Sequence, residues 1–243
     1  MNIELEIERL KSYVEIMNII GLYATYHSAS RQQETCDLFA KKTPGGVIIY
    51  NGDVYEGYQG VENHFIKYMT ESEVDLSGKI YMHEMMSPII EVAADGQTAK
   101  AQTTSIGCES LCRGENGEGR VSIWDMCKYR FDFIKEDGKW VIYNLDLHNV
   151  FETPFDGPGW GEMPVFRPDP NCNPLPPSGI PIDGRTVRPY HMLSMKNREC
   201  DLHQLFPEPP LPYESWDYVN NPWKVDWIRT NVSHRTSEEP PKS

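Results

Sequence analysis

Near the N-terminus, hydrophobic residues recur with the period of an α-helix. They fall three or four positions apart along one predicted face, which comprises Leu10, Tyr13, Val14, Met17, Ile20, Ala24 and His27. This spacing predicts a long amphipathic first helix with one buried face. A second helical spacing covers residues 60–69.

Between and after these helices, the pattern changes to short β-rich segments joined by turns. Residues 47–50 and 54–57 flank Asn51-Gly52-Asp53, and two longer hairpins turn at Asp95-Gly96 and Asp137-Gly138. Helices followed by antiparallel strands predict an α+β fold in which a curved sheet closes over the helices. Such a cone leaves a pocket at its open end.

The last hairpin can be used to assign side chains to the two faces of the sheet. A two-residue turn at Asp137-Gly138 pairs Cys127 with His148 and Tyr129 with Asp146. Cross-strand partners share a face. We therefore expect one face to bear these residues: Asp125, Cys127, Tyr129, Phe131, Phe133, Ile142, Asn144, Asp146, His148 and Val150. This face grades from apolar near the turn to polar at the far end, as expected for a core that opens into a pocket.

Proline divides the chain into two parts. Of the 19 prolines, only Pro44 and Pro88 precede residue 151, and a segment so rich in proline does not sustain helices or inner strands. It also contains many aromatic residues, which disordered linkers lack. We predict a domain over 1–150 and an irregular Pro/aromatic-rich arm over 151–243 that packs on its own core or on a neighbouring subunit.

Charge and composition exclude several classes of partner. Lys plus Arg number 23 against 36 for Asp plus Glu, which gives a formal net charge of −13 that would repel a phosphate backbone. The N-terminus has no signal-peptide pattern and no apolar run is long enough to span a membrane. We therefore expect no nucleic-acid partner, no membrane insertion, a cytoplasmic location and reduced cysteines.

Several strings in 5–150 carry a family resemblance. They are Tyr23-Ala-Thr-Tyr26, Leu38-Phe39, YEGYQGVENHF, MHEMMSPIIEVAADGQTAKA, and the segment from Tyr129 to EDGKW. In order and spacing they resemble the SnoaL-like branch of the nuclear transport factor 2-like superfamily, which includes polyketide cyclases, scytalone dehydratase and bile acid dehydratases. The resemblance implies a cone-shaped fold and a cofactor-free lyase.

The resemblance also implies roles for particular residues. His83 matches the catalytic base of the dehydratase-type enzymes, and Tyr23 matches a tyrosine late in their first helix. Those enzymes carry an Asp five residues after this tyrosine, hydrogen-bonded to the histidine, but here that position is Ser28. The carboxylate's role can pass to Asp125 or Asp146.

The candidate site residues combine this resemblance with the face assignment. The catalytic candidates are His83, Tyr129, Asp125 and Tyr23, and the substrate-binding candidates are Tyr26, His27, Ser28, Phe131, Asn144, Asp146 and His148. Other interpretations stay open: His83 as a structural strand histidine, His27 as a helix-end histidine beside the helix dipole, and the polar face as the solvated end of a hairpin. Neither zinc-ligand spacing nor a nucleotide-binding fingerprint occurs, so we expect no metal and no cofactor.

These residues predict a lyase that removes water from a hydrophobic cyclic or aromatic substrate, with His83 as its acid/base. One alternative is carbon–carbon cleavage, by decarboxylation or formaldehyde release, of an aromatic substrate. Another is a non-catalytic binding or scaffold module. The resemblance implies a homodimer or homotrimer.

Overall fold

The computed structural model describes residues 2–50, 53–69, 80–112, 120–155, 185–186 and 210–215. Its helices are α1 (Ile3–Ser28), α2 (Gln32–Cys36) and α3 (Gly57–Glu62), the last continuing into a π-helical turn (Asn63–Tyr68). Its strands are β1 (Val47–Tyr50), β2 (Asp53–Glu56), β3 (Ile80–Val92), β4 (Thr98–Cys112), β5 (Arg120–Glu136), β6 (Lys139–Pro154) and β7 (Arg185–Thr186). No helix among these residues is long and apolar enough to cross a membrane.

The strands form one sheet in the order β3-β4-β5-β6-β1-β2-β7. All neighbours pair antiparallel except β1 and β6, which are parallel. The predicted α+β architecture, with N-terminal helices on a curved sheet, is confirmed; the sheet is mixed rather than purely antiparallel. Pro88 lies in β3, an edge strand, where the loss of an N–H is tolerated.

The first helix was correctly predicted, and its buried face in part, since Ile20, Ala24 and His27 are buried as predicted. The buried residues of α1 are Ser12, Ile16, Ile20, Tyr23, Ala24 and His27. Leu10, Val14 and Met17 are instead exposed by 68, 58 and 44%. The guanidinium of Arg9 donates to the carbonyl of Val92 at 3.0 Å. This contact turns the face with Ser12 and Ile16, rather than the face with Leu10 and Val14, towards β3. Both faces of the helix carry apolar residues, so spacing alone could not select the inner one.

The core lies between the helices and the inner face of the sheet. Fully buried aromatic side chains dominate it, among them Phe39, Phe65, Phe131 and Phe133. Phe131 stacks on Phe133 at 5.7 Å between ring centroids. Aromatic side chains bury the largest apolar areas of any residue type, so this layer holds α1 against the strands.

Two β-bulges in β6 change the predicted register of the last hairpin. The turn forms as expected, with φ of 50° at Asp137 and 76° at Gly138, and Glu136 pairs with Lys139. The register then shifts by one residue at Tyr143, and again at Val150. A bulge places two residues opposite one and reverses the faces beyond it. The hydroxyl of the inserted Tyr143 donates to the carbonyl of Pro44 at 2.7 Å.

Only short pieces of the predicted 151–243 arm are among the described residues. The strand β6 continues past the predicted boundary to Pro154, and β7 pairs with β2. The backbone carbonyl of Tyr213 accepts from Ala94 at 2.9 Å, and its hydroxyl lies 3.2 Å from that of Thr98. These pieces contact the domain, while the rest of the arm, with Cys172 and Cys200, lies outside the described residues.

Two glycines provide a test of helix packing. A Cβ at Gly60 would lie 2.6 Å from the backbone carbonyl carbon of Tyr55, whereas one at Gly21 would meet nothing within 4 Å. We expect Gly60→Ala to lower the free energy of unfolding by roughly 1–3 kcal/mol through overpacking. Gly21→Ala, the control, should raise it by about 0.5–1 kcal/mol because it restricts the unfolded chain. Urea unfolding measures both, and equal effects would contradict the packing of α3.

Candidate active site

Three residues on adjacent strands form one row across the inner face of the sheet. His83 on β3 pairs with Gly107 on β4, and Gly107 pairs with Asp125 on β5. Directly paired residues point to the same side. The side chains of His83 and Asp125 therefore meet above the residue between them.

Gly107 makes this meeting possible because it has no side chain. A Cβ there would lie 1.7 Å from Asp125 Oδ1 and 2.8 Å from His83 Nδ1. The carboxylate thus occupies the space that any other residue at this position would fill. A glycine inside a strand often marks such a close approach.

The imidazole of His83 lies between two carboxylates. Its Nε2 is 3.0 Å from Glu109 Oε1, and its Nδ1 is 3.5 Å from Asp125 Oδ2. Nδ1 has no hydrogen-bond partner among the described residues, so Glu109 is the group that orients the ring. Since a neutral imidazole has one N–H, we assign the hydrogen to Nε2 and the lone pair to Nδ1.

Opposing effects set the protonation of His83. Burial has the largest effect and lowers the pKa of the imidazole, because it disfavours the charged form. The hydrogen bond and charge of Glu109, with the charges of Asp125 and Glu152, outweigh burial, so the pKa is raised above its ordinary 6.5.

Asp125 is a buried carboxyl that lies between the imidazole of His83 and the thiol of Cys127. Burial, the largest influence, raises its pKa to about 6, against the opposing charge of His83. Its Oδ2 lies 2.9 Å from the sulfur of Cys127, which is also 3.3 Å from Asn149 Oδ1. Its Oδ1 has no hydrogen-bond partner among the described residues. Asp125 Oδ1 and His83 Nδ1 therefore both have unused hydrogen-bonding capacity.

These groups line a cavity with aromatic walls. Its described lining comprises Tyr23, His27, Tyr50, His64, Met69, Tyr81, His83, Glu109, Asp125, Cys127, Tyr129, Leu147 and Asn149. The enclosed cavity is only about 10 Å³, and the space not filled by atoms reaches about 300 Å³ when the opening to solvent is included. The rings of Tyr23, His27 and His83 form a stack, with successive centroids 5.6 Å apart.

Tyr129 provides a donor within this cavity. The residue is fully buried, and its hydroxyl has no hydrogen-bond partner among the described residues. Burial raises the pKa of the phenol well above its ordinary value, so the hydroxyl keeps its proton. It can donate that proton in a hydrogen bond to a ligand oxygen.

Residues of α1 support His83 in ways that the sequence did not predict. Ser28, which occupies the family's Asp position, accepts a hydrogen bond at 3.3 Å from the backbone N–H of His83 rather than from its ring. His27 stacks on the ring, and its own Nδ1 lies 3.4 Å from Gln32 Oε1. The first helix therefore positions His83 by its backbone and by stacking, while the carboxylates come from β4 and β5.

The predicted face for Asn144, Asp146 and His148 is wrong. Beyond the bulge at Tyr143 these residues pair with Asp132, Arg130 and Lys128 on the opposite face of the sheet. Asp146 lies 2.7 Å from His148 Nε2 and 3.6 Å from Arg130 Nη2, and none of the three predicted residues lines the cavity. Asp146 therefore does not replace the family's Asp.

Asn144 instead fastens β1 to β6. Its Oδ1 accepts from the backbone N–H of Val47 at 3.1 Å, and its Nδ2 donates to Asp132 at 2.9 Å. Tyr26 and Phe131 also lie outside the cavity lining. Tyr26 is half-buried beneath Arg31, and Phe131 stacks on Tyr129 within the core.

Sequence reasoning missed Glu109 and Gly107. The hairpin at Asp95-Gly96 carries His83, and a two-residue turn there places position 107 or 108 opposite His83, with Glu109 nearby. The register of this hairpin was therefore the first available signal. The glycine within a β-rich run was the second available signal.

One trio of metal-type donors occurs among the described residues. Single ligand atoms of His83, Asp125 and Cys127 lie within 4.8 Å of one another. Burial and the charge of Asp125 raise the pKa of the Cys127 thiol well above its ordinary value. Metals bind the thiolate rather than the thiol, so a metal at this trio would have to displace the thiol proton.

Comparisons with known proteins place the chain among related folds. A family model of the SnoaL-like domain matches residues 8–146. Hexachlorocyclohexane dehydrochlorinase LinA type 2 is 16% identical, with 63% of this chain and 99% of that chain covered and a TM-score of 0.51. LinA type 3 from Novosphingobium barchaimii LL02 is also 16% identical, with 63% of this chain and 95% of that chain covered and a TM-score of 0.51.

An NTF2-like protein with a cystatin-like fold from Novosphingobium aromaticivorans is 15% identical over 65% of this chain and 91% of that chain, with a TM-score of 0.45. No curated protein sequence matches the chain. At 16% identity, the likeness to the two LinA structures shows a shared fold alone.

The close approach of Asp125 and His83 over Gly107 predicts that a side chain at position 107 disrupts the site. We expect Gly107→Ala to displace the Asp125 carboxylate from His83, since the added Cβ would overlap Oδ1. The variant should fold but lose most ligand binding or turnover at His83, whereas Gly21→Ala should retain both. The imidazole ¹⁵N chemical shifts of His83 report the displacement directly. Unchanged shifts in Gly107→Ala would contradict the geometry of the row.

The raised pKa of Asp125 predicts a pH-dependent stability. Between pH 3.8, the ordinary pKa, and about pH 6, the folded carboxyl keeps a proton that the unfolded one releases. A folded state that binds more protons loses stability as pH rises. The free energy of unfolding should therefore fall across this window, and His83 should continue the fall above pH 6.5.

Urea unfolding of Asp125→Asn at several pH values tests this linkage. The variant cannot titrate at this position, so the fall between pH 4 and about pH 6 should be reduced. Asp37→Asn is the control, because Asp37 is an exposed carboxylate whose pKa is lowered by Lys41. An equal reduction in both variants would show that Asp125 is not the source.

Proposed function

Because the chain belongs to the SnoaL-like family, we propose that it is a cofactor-independent lyase that removes water from a hydrophobic cyclic or aromatic substrate by acid/base catalysis at His83. The observation that carries this proposal is the arrangement of His83 itself. Glu109 holds Nε2 at 3.0 Å, while Nδ1 is buried without a hydrogen-bond partner among the described residues, and His83 lies in the cavity lining.

This arrangement meets the requirements of a general base. A base needs a lone pair directed at the substrate and a pKa near the working pH. Glu109 fixes the tautomer and stabilises the imidazolium that forms, which is the role of the orienting carboxylate in other acid/base pairs. In this proposal Glu109 replaces the Asp that the family carries at the position of Ser28.

The reaction uses two side chains, His83 and Tyr129. Nδ1 of His83 takes a proton from the carbon beside a substrate carbonyl, and the electron pair moves towards the carbonyl oxygen. The hydroxyl of Tyr129 donates a hydrogen bond to that oxygen as its charge grows. The imidazolium then returns the proton to the leaving hydroxyl of the adjacent carbon, which departs as water while a carbon–carbon double bond forms.

The names of the structural neighbours are consistent with such chemistry. LinA types 2 and 3 are described as dehydrochlorinases, and loss of hydrogen chloride from adjacent carbons is an elimination that a base initiates. The non-catalytic alternative predicts a cavity without a second polar group near His83. The buried carboxylates of Glu109 and Asp125 lie there instead.

Turnover measurements on variants test the proposal. A panel of hydroxylated aromatics and steroids is incubated with the protein, and products are identified by mass as loss of water, formaldehyde or carbon dioxide. His83→Gln should lower kcat by ~10²–10⁴-fold because the general base is lost. Tyr129→Phe should cause a smaller loss, since it removes one hydrogen bond and keeps the aromatic wall. Wild-type turnover in folded His83→Gln would refute the mechanism.

The pH profile separates two assignments of the proton. If neutral His83 is the base, kcat/KM rises with pH through a pKa above 6.5 and then levels off, because only the unprotonated imidazole reacts. A rate that falls over the same range would instead make imidazolium the acid and Asp125 the base. Loss of formaldehyde from the panel would favour the carbon–carbon cleavage alternative with the same base.

A further inference from the structure

The candidate active site concentrates negative charge around one imidazole. Glu109 and Asp125 contact opposite nitrogens of His83, and their side chains are exposed by only 11 and 2%. When His83 is unprotonated, the carboxyl groups of Glu109 and Asp125 give these three residues a net negative charge, which a proton on Asp125 reduces. Charges this well buried are weakly screened by solvent.

The remaining described lining does not offset this charge. It consists mainly of aromatic rings and neutral groups, and it includes no Lys or Arg among the described residues. Glu152 adds a further negative charge, since it pairs across the strands with Asp125 and raises the pKa of His83. A ligand that enters beside His83 therefore meets a negative potential.

We propose that this cavity selects uncharged aromatic substrates and excludes anionic ones, and that Glu109 sets the selectivity. The inference rests on the proposed function and names the substrate class of the same site. An anionic group beside the unprotonated imidazole would face two carboxylates, and the described lining contains no Lys or Arg to compensate. An uncharged ring instead packs between aromatic walls and accepts a hydrogen bond from Tyr129.

This selectivity bears on the choice among lyase reactions. Decarboxylation requires a carboxylate to lie near the acid/base group, which the charge of Glu109 and Asp125 disfavours. Loss of water, or of formaldehyde from a neutral alcohol, places no anion there in the ground state. The negative charge that develops during these reactions appears on the oxygen beside Tyr129.

Two ligands of nearly equal shape test the proposal without requiring turnover. 2-Naphthamide is uncharged and 2-naphthoate is its anionic counterpart at pH 8. Titrations followed by calorimetry or ligand-observed NMR give the Kd of each. We expect the amide to bind the wild-type protein at least about tenfold more tightly, since one unscreened like charge at this range costs that much or more.

Matched variants identify the residue responsible. Glu109→Gln keeps the shape and removes one charge, so it should bring the two Kd values closer by several fold. Glu84→Gln is the control, because Glu84 lies next to His83 in sequence but is exposed on the opposite face of β3, and it should preserve the wild-type ratio. If Glu109→Gln does not fold, Asp125→Asn provides the same comparison at the other carboxylate.

The outcomes separate this proposal from the proposed reaction. Equal binding of both ligands to the wild-type protein, or no binding of the amide, overturns the selectivity even if His83-dependent water loss is observed. Tighter binding of the amide with no turnover of any panel member supports the selectivity and rejects the dehydratase. An unchanged ratio in Glu109→Gln removes Glu109 as its source.

Discussion

The approach of His83 and Asp125 across Gly107 is the contact on which the candidate active site depends. Three strands must be in register for the two side chains to meet, and the strand between them must lack a Cβ at that point. The helices then close the space above, and burial shifts the pKa of both groups. Strand pairing thus determines the electrostatics of the site before any ligand is present.

The aromatic walls strengthen these interactions. Tyr23, His27 and Phe65 pack closely over the same region, with ring centroids 5.6–6.1 Å apart, and leave little room for water. Coulomb interactions grow as the surrounding polarity falls. The same packing that stabilises the core therefore increases the influence of Glu109 and Asp125 on His83.

The sequence was sufficient for the architecture and for part of the site. Hydrophobic period, turn dipeptides and the family strings predicted the helices, the hairpins, and the presence of His83, Asp125, Tyr23 and Tyr129 in one region. They could not locate the bulge at Tyr143, because its signal is a tertiary contact, the hydrogen bond to Pro44. Asn144, Asp146 and His148 were consequently assigned to the wrong face.

A second limit of prediction from the sequence concerns residues that lie side by side on neighbouring strands. His83 was recognised by its position along β3, but Glu109 became visible only when β4 was aligned beside it. Residues that act together across a sheet are distant in sequence, so single-strand patterns do not connect them. The exposed apolar face of α1 shows the same limit for helices, since two apolar stripes compete and only packing chooses between them.

The two bulges of β6 have a consequence for sequence change in this strand. Between them, residues 144–149 alternate between the core side, with Leu145 and Leu147, and the opposite side, with Asn144 and Asp146. Losing Tyr143 would shift this segment by one position relative to β5, and losing Val150 would shift residues 151–154 in the same way. Charged groups would then enter the core and leucines would leave it. The strand should accept point substitutions far more readily than single-residue insertions or deletions.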